Sequence, residues 1–504
     1  MAEKITLNVP LNRVEGDLEV RISVSHGIVD DAWSSGTMFR GFEKILVGRG
    51  SLDGLVITPR ICGICSISHL TAAAKALDMI AKVTIPADGE RVRNICSMIE
   101  HIQSDMRHYF LMFAPDYVNP AYQSHSLYPE AQRRYEPLAG QAVIEIISET
   151  KRLLEIIAIF GGQWPHTSFI VPGGVVSLPN RNDISQSRQT LSRFRHWYER
   201  RVLGCSIERW RAVESAADLE KWLHESEAHA ESDLGFFIRF SRSAGFHTLG
   251  KGHGNFLSVG GFPLPPDSAV VGMAGGGNFI PAGFISSSGH KEFLQDSIAE
   301  DPSHSWFRED DGGPKHPFEG TTVPYATGKE SRKYSWAKAP RYAGHPAETS
   351  PLAEMMVADN PLFSELVDGS GPSVFTRELA RLTRPAWFLP AIDTWLTEID
   401  PVKDRFYTRG AQVLDGEGYG LIQAARGALG HWVKIKAGRI THYQIITPTA
   451  WHGSPRDLEG KRGPWEEAVV GTPVADIENP IEVAHVIRSF DPCLVCAVHA
   501  IRRA

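Results

Sequence analysis

Two Cys-x-x-Cys pairs, one near each end of the chain, constrain this protein more than any other feature of its sequence. The first pair is Cys62 and Cys65, and the second is Cys493 and Cys496. A two-residue gap lets both thiolates of a pair face one metal ion, and two pairs supply four sulfur ligands. Thiolates favour nickel, iron, zinc or an iron–sulfur cluster over magnesium or calcium. The pattern predicts a four-thiolate metal site, which requires that the two ends of the chain meet.

Other interpretations of the pairs stay open on spacing alone. A four-cysteine zinc ribbon keeps its pairs within about 15–20 residues of each other, whereas these pairs stand at opposite ends of the chain. A redox dithiol needs only one pair and leaves the other unexplained. Structural zinc and coincidence therefore remain alternatives.

The composition narrows the class of protein. The chain has 504 residues, of which 42% are hydrophobic and 22% charged, as is ordinary for a soluble globular protein. A net charge of -7 argues against broad nucleic-acid binding, which needs clustered Lys and Arg. No apolar run approaches the roughly 20 residues of a membrane-spanning helix, and the N-terminus shows no export signal. We therefore expect a cytoplasmic protein that reaches the cytoplasmic face of a membrane only through a partner.

Hydrophobic periodicity predicts an α+β fold that is predominantly helical. Alternating apolar residues from Leu18 to Val24 and a His26-Gly27 turn predict a β-hairpin in a β-rich N-terminal region. Helical periods favour a central bundle of long helices, with helices predicted over about 69–82, 91–113, 140–160, 185–227 and 361–397. A Gly-, Pro- and Ser-rich texture over 250–328 predicts short strands and loops in a peripheral lobe.

We expect a single domain over residues 1–504. Local composition and hydrophobic periodicity divide the sequence into approximate subregions. These are a β-rich start with the first cysteine pair (1–65), a helical bundle (66–230), the peripheral lobe (250–328) and a mixed C-terminal part with the second pair (329–504).

The residues that flank the cysteines form longer motifs. They read Arg-x-Cys-Gly-x-Cys-x-x-x-His up to His69, and Asp-Pro-Cys-x-x-Cys-x-x-His up to His499. Further blocks span almost the whole chain, beginning at Arg13, Phe39, Tyr334, Ala425 and Pro448. In these motifs and in their order the chain resembles the large, catalytic subunits of [NiFe] hydrogenases. The residues Ser104-Asp105-Met106-Arg107 look closest to the uptake and H2-sensing branch, group 2.

The resemblance implies a Ni-Fe(CO)(CN)2 centre that splits H2 heterolytically. All four cysteines would bind nickel, with Cys65 and Cys496 also bridging to iron and Cys62 and Cys493 as terminal nickel ligands. Cys493 is the candidate acceptor of the proton. Glu15 matches the carboxylate that relays this proton away, and a carboxyl group near a buried thiolate can have its pKa raised enough to do so.

Further residues are implied to surround the centre. Arg426 matches a guanidinium placed over the CO and cyanide ligands, and Thr449 matches a hydroxyl that donates to the other cyanide. Asp491 matches a carboxylate that pairs with Arg426, and His69 matches a hydrogen-bond donor near the thiolates. The alternative for Arg426, Thr449 and Asp491 is a plain surface or capping role, and for Glu15 a strand-edge role.

A second, redox-inert metal site is implied at Glu43, His499 and the backbone carbonyl of Ile445. Carboxylate and carbonyl oxygens suit magnesium. Histidine is a less typical magnesium ligand, so iron is the alternative occupant.

The chain departs from the family pattern near Arg426. Many members carry a glutamate, a proline and an aspartate where this chain has Gln423, Ala425 and Ser104. We therefore expect a rewired carboxylate network around Arg426, and no role is transferred to Ser104 or Asp105.

The end of the chain is a further departure. Most members are made with a C-terminal extension that is cut after the histidine matching His499. Only residues 500–504 follow it here. We therefore expect maturation without that protease, or a very short tail.

The electrons of H2 need a partner, because no further cysteine cluster could hold iron–sulfur centres in this chain; Cys96 and Cys205 are interpreted as core thiols. The family supplies an iron–sulfur small subunit, in a heterodimer or higher oligomer. The alternative function is an H2 sensor with the same site and slow turnover. A homologous subunit of NADH–quinone oxidoreductase lacks these cysteine pairs, which counts against that class.

Overall fold

The structure of the protein is a computed structural model, and it describes residues 5–14, 16, 18–309, 312–327, 331–402 and 406–493. These residues form a mixed α+β fold with many helices and several small sheets. The predicted fold class is therefore confirmed. The division into subregions stays a prediction.

The strands of the described residues form small antiparallel sheets. Three sheets have three strands each, in the orders β1–β2–β3, β6–β7–β8 and β11–β12–β13, and β4–β5 and β9–β10 form two-stranded pairs. The strands are β1 (Ile5–Pro10), β2 (Leu18–Ser25), β3 (Ile28–Gly36), β4 (Ile170–Val171), β5 (Gly174–Val175), β6 (Phe256–Pro263), β7 (Asn278–Ser286), β8 (Gly289–Lys291), β9 (Ile298–Asp301), β10 (Ala339–Tyr342), β11 (Gly416–Ala424), β12 (Gly427–Lys436) and β13 (Arg439–Ile446).

The helices carry most of the core. They are α1 (Phe42–Leu46), α2 (Gly54–Ile57), α3 (Ser66–Ala81), α4 (Ala87–Arg107), α5 (Tyr128–Tyr135), α6 (Gln141–Leu153), α7 (Glu155–Gly161), α8 (Arg181–Trp197), α9 (Ile207–Arg211), α10 (Ala216–Glu225), α11 (Glu227–Glu231), α12 (Asp233–Ser243), α13 (Pro351–Val357), α14 (Pro361–Ser370), α15 (Val374–Thr383), α16 (Pro385–Glu398), α17 (Pro448–His452), α18 (Pro464–Val469) and α19 (Ile481–Arg488). Short 3-10 turns and two π-helical turns, His108–Phe113 and Tyr198–Leu203, join some of them.

The N-terminal hairpin is confirmed. Ser25 pairs with Ile28, which leaves His26 and Gly27 as a two-residue turn. Both turn residues have a positive φ, 54° and 74°, as a tight hairpin turn of the type I′ class requires.

Helix α4 lies at the centre of the helical part, as predicted, and continues into the π-helical turn at His108. It packs against α3, α6, α7 and α16, so its polar residues are buried together with its apolar stripe. Glu100 and Asp105 are fully buried on it. Burying such groups is costly unless they find partners, and their partners lie in the site described below.

Three predicted helices are interrupted. The helix predicted over 140–160 is α6 and α7, the one predicted over 361–397 is α14, α15 and α16, and the one predicted over 185–227 is a series of shorter helices. Within that series the hydroxyls of Ser206, Ser215 and Ser226 each accept a hydrogen bond from a backbone N–H of the helix that follows. Such caps stabilise new helix starts, which a search for periodicity does not detect.

The segment over 250–328 contains the short strands and loops that its texture predicts. Strands β6 to β9 lie there, and β6 is almost entirely buried. It packs against β11, which connects this segment to the sheet that carries Arg426.

The β11–β12 hairpin lies closely on helix α3. A Cβ atom at Gly420 would come within 1.8 Å of the carbonyl oxygen of Ala72, so only glycine permits this approach. The contact places the turn of the hairpin near the start of α3, where the first cysteine pair lies.

No helix of the residues that the structure describes is long and apolar enough to cross a membrane. This finding agrees with the absence of a long apolar run in the sequence. The cytoplasmic location stays a prediction.

Candidate metal centre

The first cysteine pair lies at the start of helix α3. A 3-10 turn over Thr58–Arg60 leads into it, and Cys65 is the residue directly before the first turn of α3. Both thiols are buried, with Cys62 2% and Cys65 6% exposed. The backbone N–H of His69 donates to the carbonyl of Cys65 over 3.2 Å. Helix formation within the segment therefore sets the position of Cys65.

The carboxylate of Glu100 caps α3 from the neighbouring helix α4. It accepts hydrogen bonds from the backbone N–H groups of Ile67 (2.8 Å) and Ser68 (2.9 Å) and from the Ser68 hydroxyl (2.9 Å). The first N–H groups of a helix have no partner within it, and the helix dipole favours negative charge there. Burial raises the pKa of Glu100 to about 7, although these bonds oppose the shift. Sequence reasoning missed this residue; the one signal was a glutamate inside a predicted buried helix.

The second cysteine segment follows helix α19. Asp491 has a left-handed backbone conformation with φ 54°, and Cys493 is fully buried. The backbone N–H of Cys493 donates to the hydroxyl oxygen of Thr449 over 3.0 Å. Thr449, at the start of α17, therefore contacts the cysteine backbone directly.

The two segments meet at their cysteines. The Sγ atoms of Cys62 and Cys493 lie 3.5 Å apart although 431 positions separate the residues, and Cys65 belongs to the same buried cluster. A disulfide bond is about 2.05 Å long, so these two cysteines are not a covalent pair. Two thiolates that each lie about 2.3 Å from one metal ion are at most about 4.6 Å apart. The observed separation therefore permits a shared metal.

Three predicted site residues, Glu15, Cys496 and His499, lie outside the described residues. Among the residues that are described, no three His, Cys, Asp or Glu side chains form a metal site by themselves. The four-thiolate site, the relay at Glu15 and the uncut C-terminus therefore stay predictions.

Arg426 lies in the turn between β11 and β12, beside the cysteines. Its Nε is 3.1 Å from Oδ1 of Asp491. Burial alone would lower the pKa of Arg426, but Asp491 and the thiolates of Cys493, Cys62 and Cys65 outweigh burial and raise that pKa well above its usual value. Its Nη1 has no hydrogen-bond acceptor among the described residues. A buried donor without a protein acceptor fits a ligand that brings its own acceptor.

His108 holds Asp491 from the other side. Its Nδ1 is 3.0 Å from Oδ1 of Asp491, and its Nε2 is 3.2 Å from Oε1 of Glu378. A neutral imidazole has only one N–H, so two carboxylate neighbours favour the doubly protonated ring. Burial alone would lower the pKa of His108, but the charge of Asp491 above all raises it. No sequence signal pointed to His108, because both partners come from distant parts of the chain.

The charges around Asp491 keep it ionised. Burial alone would raise the pKa of Asp491, but Arg426 and His108 outweigh burial and hold that pKa well below its usual range. The geometry brings Arg426 and Asp491 together, as the resemblance implies.

His69 belongs to a chain of buried rings. Its Nδ1 lies 3.1 Å from Nε2 of His431, whose Nδ1 lies 2.9 Å from the hydroxyl oxygen of Tyr443. Burial lowers the pKa of His69 to about 4, and the thiolate of Cys62 counteracts only part of this shift. A hydrogen bond from His69 to the thiolates stays a prediction.

Glu43 and Ile445, predicted to share a second metal site, are neighbours. The backbone N–H of Ile445 donates to Oε1 of Glu43 over 2.9 Å, and the hydroxyl of Thr322 donates to its Oε2. The side-chain oxygen of Gln444 accepts from Nζ of Lys338 (2.9 Å) and lies 3.1 Å from the hydroxyl oxygen of Thr322. Sequence reasoning singled out neither Thr322 nor Lys338. The result is a buried cluster of polar side chains that includes carboxylate oxygens, a ligand type that a hard cation prefers.

Gln423 and Ser104, two of the residues that depart from the family pattern, differ in their hydrogen bonding. The Nε2 of Gln423 donates to the carbonyl of Thr349 over 2.7 Å. The hydroxyl of Ser104 is buried and has no hydrogen-bond partner within the described ranges. Asp105 instead accepts two hydrogen bonds from Arg384, at 2.9 and 2.7 Å. The polar network beneath the β11–β12 turn therefore runs through position 105.

Comparison with known proteins places this geometry in a family. The family model described as nickel-dependent hydrogenase matches residues 40–136 and 233–499, which include both cysteine pairs. The periplasmic [NiFeSe] hydrogenase large subunit of Desulfomicrobium baculatum is 31% identical, over 99% of this chain and 95% of that protein. The hydrogenase-2 large chain of Escherichia coli (strain K12) is 28% identical, over 99% of this chain and 98% of that one.

A solved structure agrees over the same length. The reduced Ni-Fe-Se hydrogenase from D. vulgaris Hildenborough superposes with a TM-score of 0.82 and 30% sequence identity, and the match covers 99% of this chain and 100% of that one. The likeness therefore extends to the overall fold. The chain belongs to the nickel-dependent hydrogenase family, as a large catalytic subunit.

Proposed function

We propose that this large subunit oxidises H2 at a Ni-Fe(CO)(CN)2 centre held by Cys62, Cys65, Cys493 and Cys496, and that the electrons pass to an iron–sulfur small subunit. The observation that carries the proposal is the 3.5 Å approach of the Cys62 and Cys493 sulfurs from opposite ends of the chain. The buried guanidinium of Arg426 lies beside them, close enough for the thiolates to raise its pKa.

The described side chains fit such a centre. Soft thiolates bind nickel and iron well, and Cys62, Cys65 and Cys493 form one buried cluster. Nη1 of Arg426 offers a donor that no described residue uses, and a cyanide nitrogen is a suitable acceptor for it. When bound, the centre supplies the redox chemistry that cleavage of H2 requires.

The cysteines divide into two roles in this proposal. Cys65 and Cys496 would hold both nickel and iron, while Cys62 and Cys493 would hold nickel alone. The sulfur of Cys493 takes up the proton, and the bond from its backbone N–H to Thr449 keeps that sulfur in place. Glu15 then passes the proton away from the site.

The groups above the cysteines orient the metal ligands. Arg426 would donate to one cyanide, and Asp491, 3.1 Å from its Nε, would keep the guanidinium in position. The oxygen of Thr449 accepts from Cys493, so its hydroxyl hydrogen stays available for the other cyanide. His69 lies close enough to Cys62 for the thiolate charge to raise the pKa of His69, against the larger effect of burial.

The second site holds magnesium, or iron, in this proposal. Its ligands are the carboxylate of Glu43, the carbonyl of Ile445 and the imidazole of His499. The buried position of Glu43 supports it, because the carboxyl group lies beside the backbone of Ile445, so that two of the three proposed ligand residues are neighbours.

The face around the first cysteine pair is the proposed docking side of the small subunit. Electrons that leave a buried metal need a short route to the next carrier. Leu52 and Val56 are 51% and 46% exposed there, and Arg60, the first residue of the first cysteine motif, is exposed. Exposed apolar residues next to a positive charge are typical of protein–protein interfaces.

Infrared spectroscopy of the purified complex of both subunits, combined with metal analysis, tests the proposed function. We expect bands of metal-bound CO and cyanide, with nickel present and iron in excess of nickel because the small subunit carries iron–sulfur clusters. Mature, nickel-loaded protein without such bands would contradict the proposal, and zinc in place of nickel would favour a structural metal site.

A further inference from the structure

The turn that carries Arg426 is very short. Ala424 pairs with Gly427 across the β11–β12 hairpin, so Ala425 and Arg426 alone form the turn. Neither has a left-handed backbone conformation. The backbone at Ala425 therefore sets the direction in which the side chain of Arg426 leaves the hairpin.

Arg384 holds this backbone from below. Its Nη2 donates to the carbonyl oxygen of Ala425 over 2.6 Å. Arg384 connects helices α15 and α16 and is completely buried. The contact joins the helical core to the turn, across a sequence separation of 41 positions.

Two carboxylates orient Arg384. Asp105 accepts from its Nε and Nη2 over 2.9 and 2.7 Å, and Glu354 accepts from its Nη1 over 2.7 Å. Both carboxylates are fully buried. With all three guanidinium nitrogens engaged, Arg384 has one orientation available, and in that orientation Nη2 points at the turn.

A buried charge cluster of this kind is poorly explained by stability alone. Burying ion pairs removes their hydration, and apolar residues of similar volume are often as stable or more stable. Apolar residues could not donate to a backbone carbonyl. What the cluster of Arg384, Asp105 and Glu354 adds is a directed hydrogen bond to the turn that carries Arg426.

We propose that Arg384 is a positioning residue for Arg426: through its hydrogen bond to the Ala425 carbonyl it aims the Arg426 guanidinium at the ligands of the metal centre. The inference rests on the proposed function of Arg426. Arg426 is then held at two points, its backbone by Arg384 and its Nε by Asp491. Loss of the first point leaves the ion pair but lets the turn move.

The variant Arg384→Lys tests the inference. Lysine keeps the positive charge between the two carboxylates, but one ammonium group cannot reproduce four directed bonds to three partners. In the complex of both subunits we expect a shift of the cyanide infrared bands and an approximately tenfold loss of H2 oxidation at unchanged KM for the electron acceptor.

A second substitution separates positioning from packing. Ala425→Pro restricts the same backbone without Arg384, because proline suits the first central position of a tight turn and an extended residue before it. In the double variant Arg384→Lys/Ala425→Pro we expect the cyanide bands to return to their wild-type positions. The matched control is Arg93→Lys, another buried arginine that binds a carboxylate and backbone carbonyls, and its bands should stay unchanged.

Two results would overturn the inference: wild-type cyanide bands in Arg384→Lys, or a shift that Ala425→Pro does not reverse. If Arg384→Lys yields no folded, metal-loaded protein, Asp105→Asn takes its place, with a smaller shift expected and the absence of any shift counting against the inference. Bands missing already from the wild-type complex would contradict the proposed function itself, which keeps the two failures apart.

Discussion

The first cysteine segment (residues 58–69) and the second (residues 489–493) are held in different ways. In the first, a helix start positions the backbone, and Glu100 satisfies its exposed N–H groups. In the second, a left-handed residue turns the chain, and side chains from remote elements hold it. The first segment is therefore organised largely by its own helix, whereas the second depends on the assembled tertiary structure.

The largest effect is expected at the cysteines themselves, where the two segments share one function. Cys62→Ser and Cys493→Ser each remove a thiolate and replace it with a hydroxyl that stays protonated. Because even groups outside the ligand shell cost roughly 10–100-fold in metal affinity, we expect nickel to be lost and H2 oxidation to fall to background. Metal analysis and H2-driven dye reduction measure both effects.

The matched control for the cysteine variants is Cys205→Ser, which changes a half-buried thiol next to Trp222. This variant should bind nickel and oxidise H2 at the level of the wild type. Nickel retained at wild-type level in Cys62→Ser or Cys493→Ser would contradict the shared site.

The second-largest effect is expected for Asp491→Asn, which tests whether side chains hold the second cysteine segment in place. Asp491→Asn removes the charge that both Arg426 and His108 face. Breaking a buried ion pair in this way costs about 3–5 kcal/mol in the free energy of unfolding, and we expect a loss of turnover of about 10–100-fold as well. Chemical denaturation and H2 oxidation assays are the measurements.

Asp457→Asn is the control, since it breaks the buried pair of Asp457 with Arg341. It should lower stability by a similar amount but leave turnover per nickel unchanged. Equal losses of turnover in both variants would show that Asp491 acts through stability alone.

The contribution of Glu100, which caps the first cysteine segment, to the free energy of unfolding is expected to depend on pH. The pKa of Glu100 is about 7 in the folded protein and 4.5 as the ordinary value, so the folded state binds more protons between these values. The contribution of Glu100 to stability is therefore fully present below about pH 4.5 and declines as the pH rises through 7, by roughly 3 kcal/mol in total. Denaturation of the wild type and of Glu100→Gln from pH 5 to 8 measures this difference.

Glu100→Gln keeps an amide oxygen for the helix N–H groups but cannot ionise. The wild type should thus lose stability relative to this variant as the pH rises. A difference between the two proteins that does not change with pH would contradict a raised pKa at Glu100.

The smallest effects are expected when a single hydroxyl group that supports one of the two segments is removed. Thr449→Val leaves the buried N–H of Cys493 without its acceptor, which costs about 1–3 kcal/mol. Ser68→Ala removes only one of several bonds to Glu100 and should cost about 0.5–1.5 kcal/mol. Denaturation of both variants measures the contrast, and a larger loss in Ser68→Ala would reverse the comparison between the segments.

Much of the fold could be predicted because its signals are local. The alternation in β2, the turn at His26 and the period of α4 are all readable within short windows of sequence. The helix breaks at Ser206, Ser215 and Ser226 could not be predicted from periodicity, since each depends on a side chain that bonds to the next helix start.

The residues of the candidate site also divide into those that the sequence could identify and those that only the structure shows. Its motifs identified Cys62, Cys493, Arg426 and Asp491, and the structure brings these together. It also adds Glu100, which caps a helix in space rather than in sequence. A buried glutamate inside a helix has no recognisable partner until the neighbouring helix is packed against it.

The sequence by itself determined the kinds of ligand and their spacing within each pair, because a two-residue gap between cysteines is a property of local backbone geometry. Only the tertiary structure decided how the two pairs meet and what orients Arg426. The contact of Arg384 with Asp105 joins residues 279 positions apart, and its bond to Ala425 involves a backbone carbonyl that every residue possesses. The guanidinium of Arg384 becomes specific for this carbonyl only when folding removes water and the two carboxylates hold its other N–H groups.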